Sequence, residues 1–391
     1  MRIAFFAHYA GQYGANQSLL TLVQDLRKFG VEPIVFLPEA GPFQVNLTQA
    51  QIAWRRLPYT LWMTPRRRFW HAPGQLWRNG RALPRVEQAL SQDHIDLVYT
   101  NSTVIGVGAQ AAQELNLPHV WHLRELPQAA FGMFYAAGWR HARAVMAAST
   151  AFIAVSRTVR SQGLPSALQS RCRVIYNGVL SEAAMRSLYP LTDGKSGNDG
   201  RGSFVFAMLG SINPNKGQEQ ALRALAQLPV QLNAVLHIAG TGGHRYVARL
   251  ERLAHELGIG DRVRFLGYLA EPQDVYRQAD GVLVCSAVEG MGRVTAESMA
   301  LGLPVIGRDS TGTAELIDDG VTGLLYDGTA ADLARQMVRL MTTPELAERL
   351  RWAAHAQALT HFTTERYSAA VWGVCRTALT SNQPGSQSSS S

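Results

Sequence analysis

Two carboxylates, Glu289 and Glu297, bracket the stretch Glu289-Gly-Met-Gly-Arg-Val-Thr-Ala-Glu297, with seven residues between them. Carboxylates accept hydrogen bonds from hydroxyls. A glycine-bearing turn that opens a helix offers backbone N–H groups and the positive end of the helix dipole to an anion. Acids on either side of such a turn suit a ligand that is both polyhydroxylated and phosphorylated. The pair points to a sugar nucleotide more strongly than any other constellation in the chain.

The flanking elements must position this pair. The apolar run Gly281-Val-Leu-Val-Cys-Ser286 predicts a short buried strand before it. The stretch through Met299 predicts a helix stopped by Gly302, and Pro304-Val-Ile-Gly307 predicts the next strand. Glu289 is then expected on the strand-to-helix loop and Glu297 early in the helix.

Further motifs follow strands. Gly210-Ser-Ile-Asn-Pro-Asn-Lys216-Gly217 sits after one strand and before a helix. The glycine would let backbone approach a diphosphate, and Lys216 would supply a point charge. Ala239-Gly-Thr-Gly-Gly243 is either a second such loop or a plain turn. Ser310-Thr-Gly-Thr-Ala-Glu315 offers hydroxyls and N–H groups beside the acidic pair, or simply caps a helix. No Asp-x-Asp follows a strand as a metal–diphosphate clamp would, and Asp318-Asp319 is expected in a surface turn. A metal is not required if Lys216, Arg293 and helix termini carry the diphosphate charge.

In the first half, Gly11-Gln-Tyr-Gly14-Ala-Asn16 opens the first helix, but it lacks the G-x-G spacing of a dinucleotide fingerprint. That argues against a nicotinamide cofactor. His122-Leu-Arg124-Glu125 is expected just past a strand centred on Val120-Trp121, its three polar groups directed into a cleft.

The chain has 391 residues, 47% hydrophobic and 17% charged, which predicts a globular protein of two domains. The first half alternates strand and helix, beginning with strands at 2–7 and 32–37. After the glycine-rich stretch 192–203 the pattern restarts with strands at 204–209 and 234–239. This predicts an α/β fold of two doubly wound, Rossmann-like domains facing each other across a cleft. The expected division is residues 1–191, a linker at 192–203, a second domain at 204–360, a closing helix at 361–380 and a disordered tail at 381–391.

Three well-separated cysteines, Cys172, Cys285 and Cys375, favour neither a disulfide framework nor a zinc site and suit a reducing cytoplasm. The first residues are too short an apolar run for a signal sequence, and no run reaches the length of about 18 apolar residues that a spanning helix needs. The net charge of +8 is concentrated: residues 40–86 hold eight arginines and no acid. Trp54, Trp62, Trp70 and Trp77 lie in the same stretch. Arg with Trp suits an anionic membrane surface, here through residues 54–85. The other reading is a solvated loop with its tryptophans folded onto the domain. No nucleic-acid module accompanies the patch, so nucleic acid is not an expected partner.

Taken together, Gly210…Lys216-Gly217, Gly240-Thr-Gly, Phe265-Leu-Gly267, Glu289…Glu297 and Ala300-x-Gly302-x-Pro304-Val305 resemble the retaining family 4 glycosyltransferases of the GT-B fold. Gly14-Ala, Asn101-Ser, His122 with Arg124-Glu125, Val155-Ser156 and Tyr176-Asn177-Gly178-Val179 agree with it. The resemblance implies a donor site for a nucleoside diphosphate sugar. Glu289 would meet the transferred sugar and Glu297 the ribose. Lys216 and the amides of Gly292, Arg293 and Val294 would hold the diphosphate, near Gly210, Ser211 and Gly240. Backbone around Gly267 and Tyr268 would meet the base. His122 would lie near the sugar, with Glu289 and Lys216 as the other catalytic groups. Gly11, Gly14, Arg124 and Glu125 would lie on the acceptor side, and the closing helix would cross back to the first domain. No cofactor or metal is implied. One departure stands out: Ser211 occupies a position where the family often has arginine.

The function so implied is transfer of a sugar, with retention, to a hydroxyl of a glycan or lipid-linked acceptor, in cell-surface polysaccharide or lipopolysaccharide assembly. The protein would be cytoplasmic or peripheral on the cytoplasmic face of the membrane. Domain closure about residues 192–203 would exclude water. A phosphorylase, a nucleotide-sugar epimerase, or a non-catalytic binding or scaffold protein remain alternatives.

Overall fold

The computed structural model describes residues 1–11, 14–189, 202–269 and 272–381. Most of the expected linker and nearly all of the expected tail therefore lie outside the described residues. Contacts divide the chain into two units. Unit 1 runs from Met1 to Gly178 and resumes at Thr364; unit 2 is Val179–Thr363.

Unit 1 is built on β1 (Arg2–Phe6), β2 (Glu32–Leu37), β3 (Ala53–Arg56), β4 (Met63–Pro65), β5 (Leu97–Thr100), β6 (His119–Leu123), β7 (Met133–Tyr135), β8 (Ala151–Ala154) and β9 (Cys172–Val174). Seven of these form one sheet in the order β3-β2-β1-β5-β6-β8-β9, and every pairing in it is parallel. β4 and β7 form a separate antiparallel ribbon. Successive side chains of a strand point to opposite faces. In β1 this sends Ile3 and Phe5 into one core and Ala4 and Phe6 into the other. Both faces of the strand are apolar because helices cover both.

The helix Gly14–Leu26 and the closing helix Thr364–Ser381 cover the first face. Tyr367, Val371, Val374, Cys375 and Ala378 form the apolar stripe of the closing helix. The closing helix, expected at 361–380, begins at Thr364, after a separate helix Pro344–His361. The break falls where the Phe362 carbonyl accepts the Val179 N–H at 2.9 Å and Thr363 bridges Leu180. That backbone group is thereby withdrawn from the helix.

Unit 2 is built on β10 (Phe204–Leu209), β11 (Ala234–Ala239), β12 (Val263–Gly267), β13 (Gly281–Val284), β14 (Val305–Arg308) and β15 (Leu324–Tyr326). Its sheet is parallel, in the order β12-β11-β10-β13-β14-β15. Each unit is thus a Rossmann-like α/β layer structure. The helix Glu182–Leu188, which the sequence reading assigned to the first domain, belongs to unit 2. Tyr189 just after it stacks on His355, with ring centroids 3.9 Å apart.

Candidate active site

The carboxyl ends of β10, β11 and β12 carry Gly210, Gly240 and Gly267. The Gly240 N–H donates to the Gly267 carbonyl at 2.7 Å, and the Gly210 N–H donates to the Ala239 carbonyl at 3.0 Å. A Cβ on Gly240 would lie 1.8 Å from the Gly210 carbonyl oxygen, so only glycine fits there. The three glycines leave these strand ends free of side chains. Tyr268, directly after β12, is exposed.

After β10 the chain makes a short turn, Pro214–Lys216, capped by Asn213. Gly217 follows in the left-handed region, where a Cβ would meet the Cys285 carbonyl at 2.4 Å. Asn215 fastens this turn to the loop after β13. Its carbonyl accepts the Ala287 N–H at 2.8 Å, its Nδ2 donates to the Val288 carbonyl at 2.9 Å, and its Oδ1 accepts the Val288 N–H at 3.2 Å.

The clamp brings together two residues that stand 73 positions apart in the chain. Lys216 Nζ lies 2.5 Å from Glu289 Oε1, with both side chains partly exposed. The Glu289 N–H donates to Thr311 Oγ1 at 2.9 Å, and its carbonyl accepts the Gly312 N–H at 3.2 Å. Thr311 adopts a left-handed φ of 46° to do this. The loop Ser310–Glu315 therefore buttresses Glu289. Ser310 itself makes no side-chain cap and donates instead to the Ala287 carbonyl.

Gly292, with φ 87°, opens the helix Arg293–Ala300. Its N-terminal turn contains Val294 and presents backbone N–H groups. Beside Gly292 the buried hydroxyls of Thr295 and Thr313 have no hydrogen-bond partner. Glu297, one turn into the helix, is held from two sides. Arg293 Nε donates to Oε1 at 2.6 Å, and the Tyr276 hydroxyl donates to Oε2 at 2.9 Å. Burial, then the Glu297 charge, holds the Tyr276 hydroxyl well above its ordinary pKa, so it is a donor at neutral pH. Sequence reasoning missed Asn215, Tyr276 and Thr295, whereas Thr313 lies in the hydroxyl-bearing loop it named. Each acts through a partner distant in sequence or through burial.

At position 211 the expected positive charge is absent. The Ser211 hydroxyl accepts from Asn213 Nδ2 at 2.9 Å. Arg293, the residue expected to compensate, is already paired with Glu297.

In unit 1 the structure corrects the reading of His122. It lies within β6, not beyond it, and is fully buried. β6 is flanked by β5 and β8 and covered on both faces, so its polar residues are enclosed. His122 Nδ1 shares a hydrogen bond of 2.5 Å with the Tyr99 hydroxyl, and its Nε2 is buried without a partner. Burial, reinforced by the Arg124 charge, pushes the imidazole well below its ordinary pKa and keeps it neutral.

Arg124 is also buried rather than directed into open space. Its Nε reaches Asn101 Oδ1 at 2.8 Å, Nη1 reaches Asn177 Oδ1 at 2.7 Å, and Nη2 reaches the Tyr367 hydroxyl at 2.8 Å. Glu125 accepts from the Ser102 hydroxyl and the Thr103 N–H, both at 3.0 Å, and burial raises its pKa. Gly14 is the first residue of its helix. Asn16 Nδ2 ties that turn to the carbonyls of Tyr9 at 3.0 Å and Gly11 at 2.8 Å.

All three cysteines are buried and free. Among the described residues no group of three or more His, Cys, Asp or Glu side chains could hold a metal ion. None of the described helices is long and apolar enough to cross a membrane.

Comparison with known proteins gives these features a setting. Residues 13–182 match the family described as Glycosyltransferase Family 4, and residues 194–357 match Glycosyl transferases group 1. The D-inositol 3-phosphate glycosyltransferase of Thermomonospora curvata is 37% identical over 173 residues, 41% of this chain and 40% of that protein. That of Mycolicibacterium smegmatis is 36% identical over 187 residues, 44% of this chain and 41% of that protein. The matched stretch thus spans about two fifths of these relatives' length.

The crystal structure of Anabaena HepE in complex with UDP and glucose superposes with a TM-score of 0.78. It is 26% identical and covers 96% of this chain and all of that one. The apo lipopolysaccharide outer core galactosyltransferase WaaB, at 17% identity, shares the fold with a TM-score of 0.70 and covers 96% and 99% of the two chains. The protein therefore joins a Glycosyltransferase Family 4 domain to a Glycosyl transferases group 1 domain, and its structural neighbours are glycosyltransferases of the GT-B fold.

Proposed function

We propose that this protein is a glycosyltransferase that moves a sugar, with retention, from a nucleoside diphosphate sugar to an acceptor hydroxyl. The observation that carries the reading is the meeting of Lys216 and Glu289 beside the amino end of the helix Arg293–Ala300. A cation, a carboxylate and the amino end of a helix converge there, next to strand ends cleared by Gly210 and Gly240. The complexes of Anabaena HepE with UDP and with UDP-glucose make UDP-sugars the first donors to test.

In this reading Lys216 and the N–H groups of Gly292, Arg293 and Val294 meet the diphosphate. Glu289 accepts hydrogen bonds from hydroxyls of the sugar, and Glu297 from those of the ribose. The bond between the anomeric carbon and the diphosphate oxygen breaks, its electron pair leaves with the diphosphate, the acceptor oxygen bonds to the anomeric carbon on the same face, and the hydroxyl proton passes to the departing diphosphate. Groups fixed before the reaction stabilise that charge without reorganising, which is where such sites gain most of their rate. No metal is needed for this balance, so chelators should leave the rate unchanged. His122 is fully buried and held neutral, so it would not act as an acid. The acceptor would be a lipid-linked glycan of cell-surface polysaccharide or lipopolysaccharide assembly, which the arginine- and tryptophan-rich segment 54–85 supports. Gly11, Gly14, Arg124 and Glu125 would shape the acceptor side, the last two by fixing its backbone.

Ser211 favours a second reading. With no charge at 211 and Arg293 paired to Glu297, the diphosphate would meet less positive charge. A nucleotide-sugar-binding protein without catalysis would fit that arrangement. Release of nucleoside diphosphate above background from UDP-sugars supplied with a lipid extract supports the transferase. Binding that raises thermal stability without any release supports the second reading.

A further inference from the structure

Residues 66–81 contain no buried residue. The segment comprises a 3₁₀ turn, Arg66–His71, and the first half of the helix Ala72–Gln92, whose buried residues begin only at Ala82. Yet it carries Phe69, Trp70, Leu76 and Trp77, each between 44% and 65% exposed. This contradicts the reading of a loop with its tryptophans folded away, with one exception. Trp62 is buried against Trp121 and Tyr135, and its Nε1 donates to the Thr103 carbonyl.

The segment is held from one side. Gln75 Nε2 donates to the Met63 carbonyl at 3.2 Å, and Asn79 Oδ1 accepts the Thr60 N–H at 2.8 Å. Residues 75, 79, 82 and 86 share a helix face. The opposite face carries Leu76, Trp77, Arg81 and Gly80. Arg81 lies over the Trp77 ring at 4.9 Å. Arg66 donates its N–H to the Gly132 carbonyl at 3.1 Å, which brings a further exposed aromatic, Phe131, to the base of the segment.

The charge distribution is equally one-sided. Unit 1 carries 20 Lys and Arg against 9 Asp and Glu, while unit 2 carries 17 against 20. From residue 40 to 86 and again from 126 to 181 there is no acid at all.

We infer that residues 66–81, with Phe131, form an arm that docks on an anionic lipid bilayer. Exposed aromatic side chains of this size are placed at little cost only where they leave water. Trp fits the headgroup level, and arginines beside it fit anionic headgroups. An acidic protein surface would match the arginines but would not require the aromatic side chains to stand apart on a helix tip. The inference deepens the lipid-linked acceptor reading but is measured without it, since docking needs no turnover.

The test is sedimentation of the full chain with phosphatidylcholine vesicles, with and without phosphatidylglycerol. Binding to the anionic vesicles alone, with a blue shift of tryptophan emission, is the expected result. Replacing Arg66, Arg67 and Arg68 together by Gln should weaken it by roughly a hundredfold, about fivefold per charge. Trp70→Ala with Trp77→Ala should abolish the blue shift while leaving release of nucleoside diphosphate from a soluble donor unchanged. Equal binding to both vesicle types, or vesicle binding unchanged in these variants, overturns the inference. So does concentration-dependent dimerisation that the tryptophan replacements abolish without any effect on vesicle binding. Loss of donor turnover in the wild-type chain with vesicle binding intact would instead count against the transferase reading.

Discussion

Lys216 Nζ and Glu289 Oε1 lie 2.5 Å apart, although one belongs to the turn after β10 and the other to the loop after β13. Asn215 holds the two loops in register, so the ion pair sits on a fixed frame and not on mobile side chains alone. A partly exposed pair of this kind contributes little to stability, about 0–1 kcal/mol. In the proposed function that positioning serves the donor.

If Gly240 is required by its approach to the Gly210 carbonyl, Gly240→Ala must displace one of the two strand ends. A Cβ at 1.8 Å together with a φ of 147° makes a loss of roughly 3 kcal/mol the expected result. Urea denaturation measures it. Gly74→Ala, where a Cβ meets nothing within 4 Å, is the control and should cost less than about 0.5 kcal/mol. Equal stability of the two variants would show that the strand ends are not tightly apposed.

Ser211→Arg should restore a charge beside the diphosphate site. One added guanidinium within reach of a diphosphate, in a partly exposed site, should tighten UDP binding about tenfold. Calorimetric titration of UDP reads this directly. Unchanged affinity would mean that position 211 does not face the diphosphate.

Tyr276 is a positioning residue for Glu297. Tyr276→Phe removes one of the two donors that hold the carboxylate, with no change in shape. The expected effect is a five- to tenfold rise in donor KM, about 1–1.5 kcal/mol, with kcat nearly unchanged. A purely structural role would instead lower thermal stability and leave KM alone.

Unit 1 holds three imidazoles as neutral groups, His119 and His122 buried and His8 partly exposed with its Nδ1 enclosed. Burial pushes His119 down to about 3, burial with the Arg124 charge does the same to His8, and His122 is driven well below its ordinary value. In the unfolded chain each would protonate near 6.5. The unfolded state then binds more protons throughout that window, so stability is full above pH 6.5 and falls as pH drops toward 3. Each group contributes up to about 1.4 kcal/mol per pH unit. Denaturation midpoints across this range should fall steeply, and less steeply in His119→Gln. A flat profile would show that these imidazoles are accessible to protons.

Much of this was legible from the sequence, and the failures have physical causes. Strands 32–37, 204–209 and 234–239 were read with their observed bounds because apolar runs end at glycine, proline or asparagine. β6 was read too short because His119 and His122, though polar, lie in a strand enclosed on both sides. The first half of the helix Ala72–Gln92 buries nothing and so carries no core periodicity from which it could be read. Glu289, Glu297, Lys216 and Arg293 could be named from the motifs that carry them. Arg293 and Glu297 pair locally, four positions apart on one helix, but the Lys216–Glu289 pair and the groups that hold it and Glu297 in place were not legible, because Asn215 and Tyr276 reach partners 73 and 21 residues away. Arg124 and Tyr367, 243 positions apart, are beyond any local pattern.

The most direct test replaces Glu289 by Gln and measures release of nucleoside diphosphate, with product analysis, from a panel of UDP-sugars and a lipid extract. The account predicts product from the wild-type chain and a loss of about a hundredfold or more in the variant, with melting temperature shifted by no more than a few degrees. A folded Glu289→Gln protein that turns over like the wild type would contradict it.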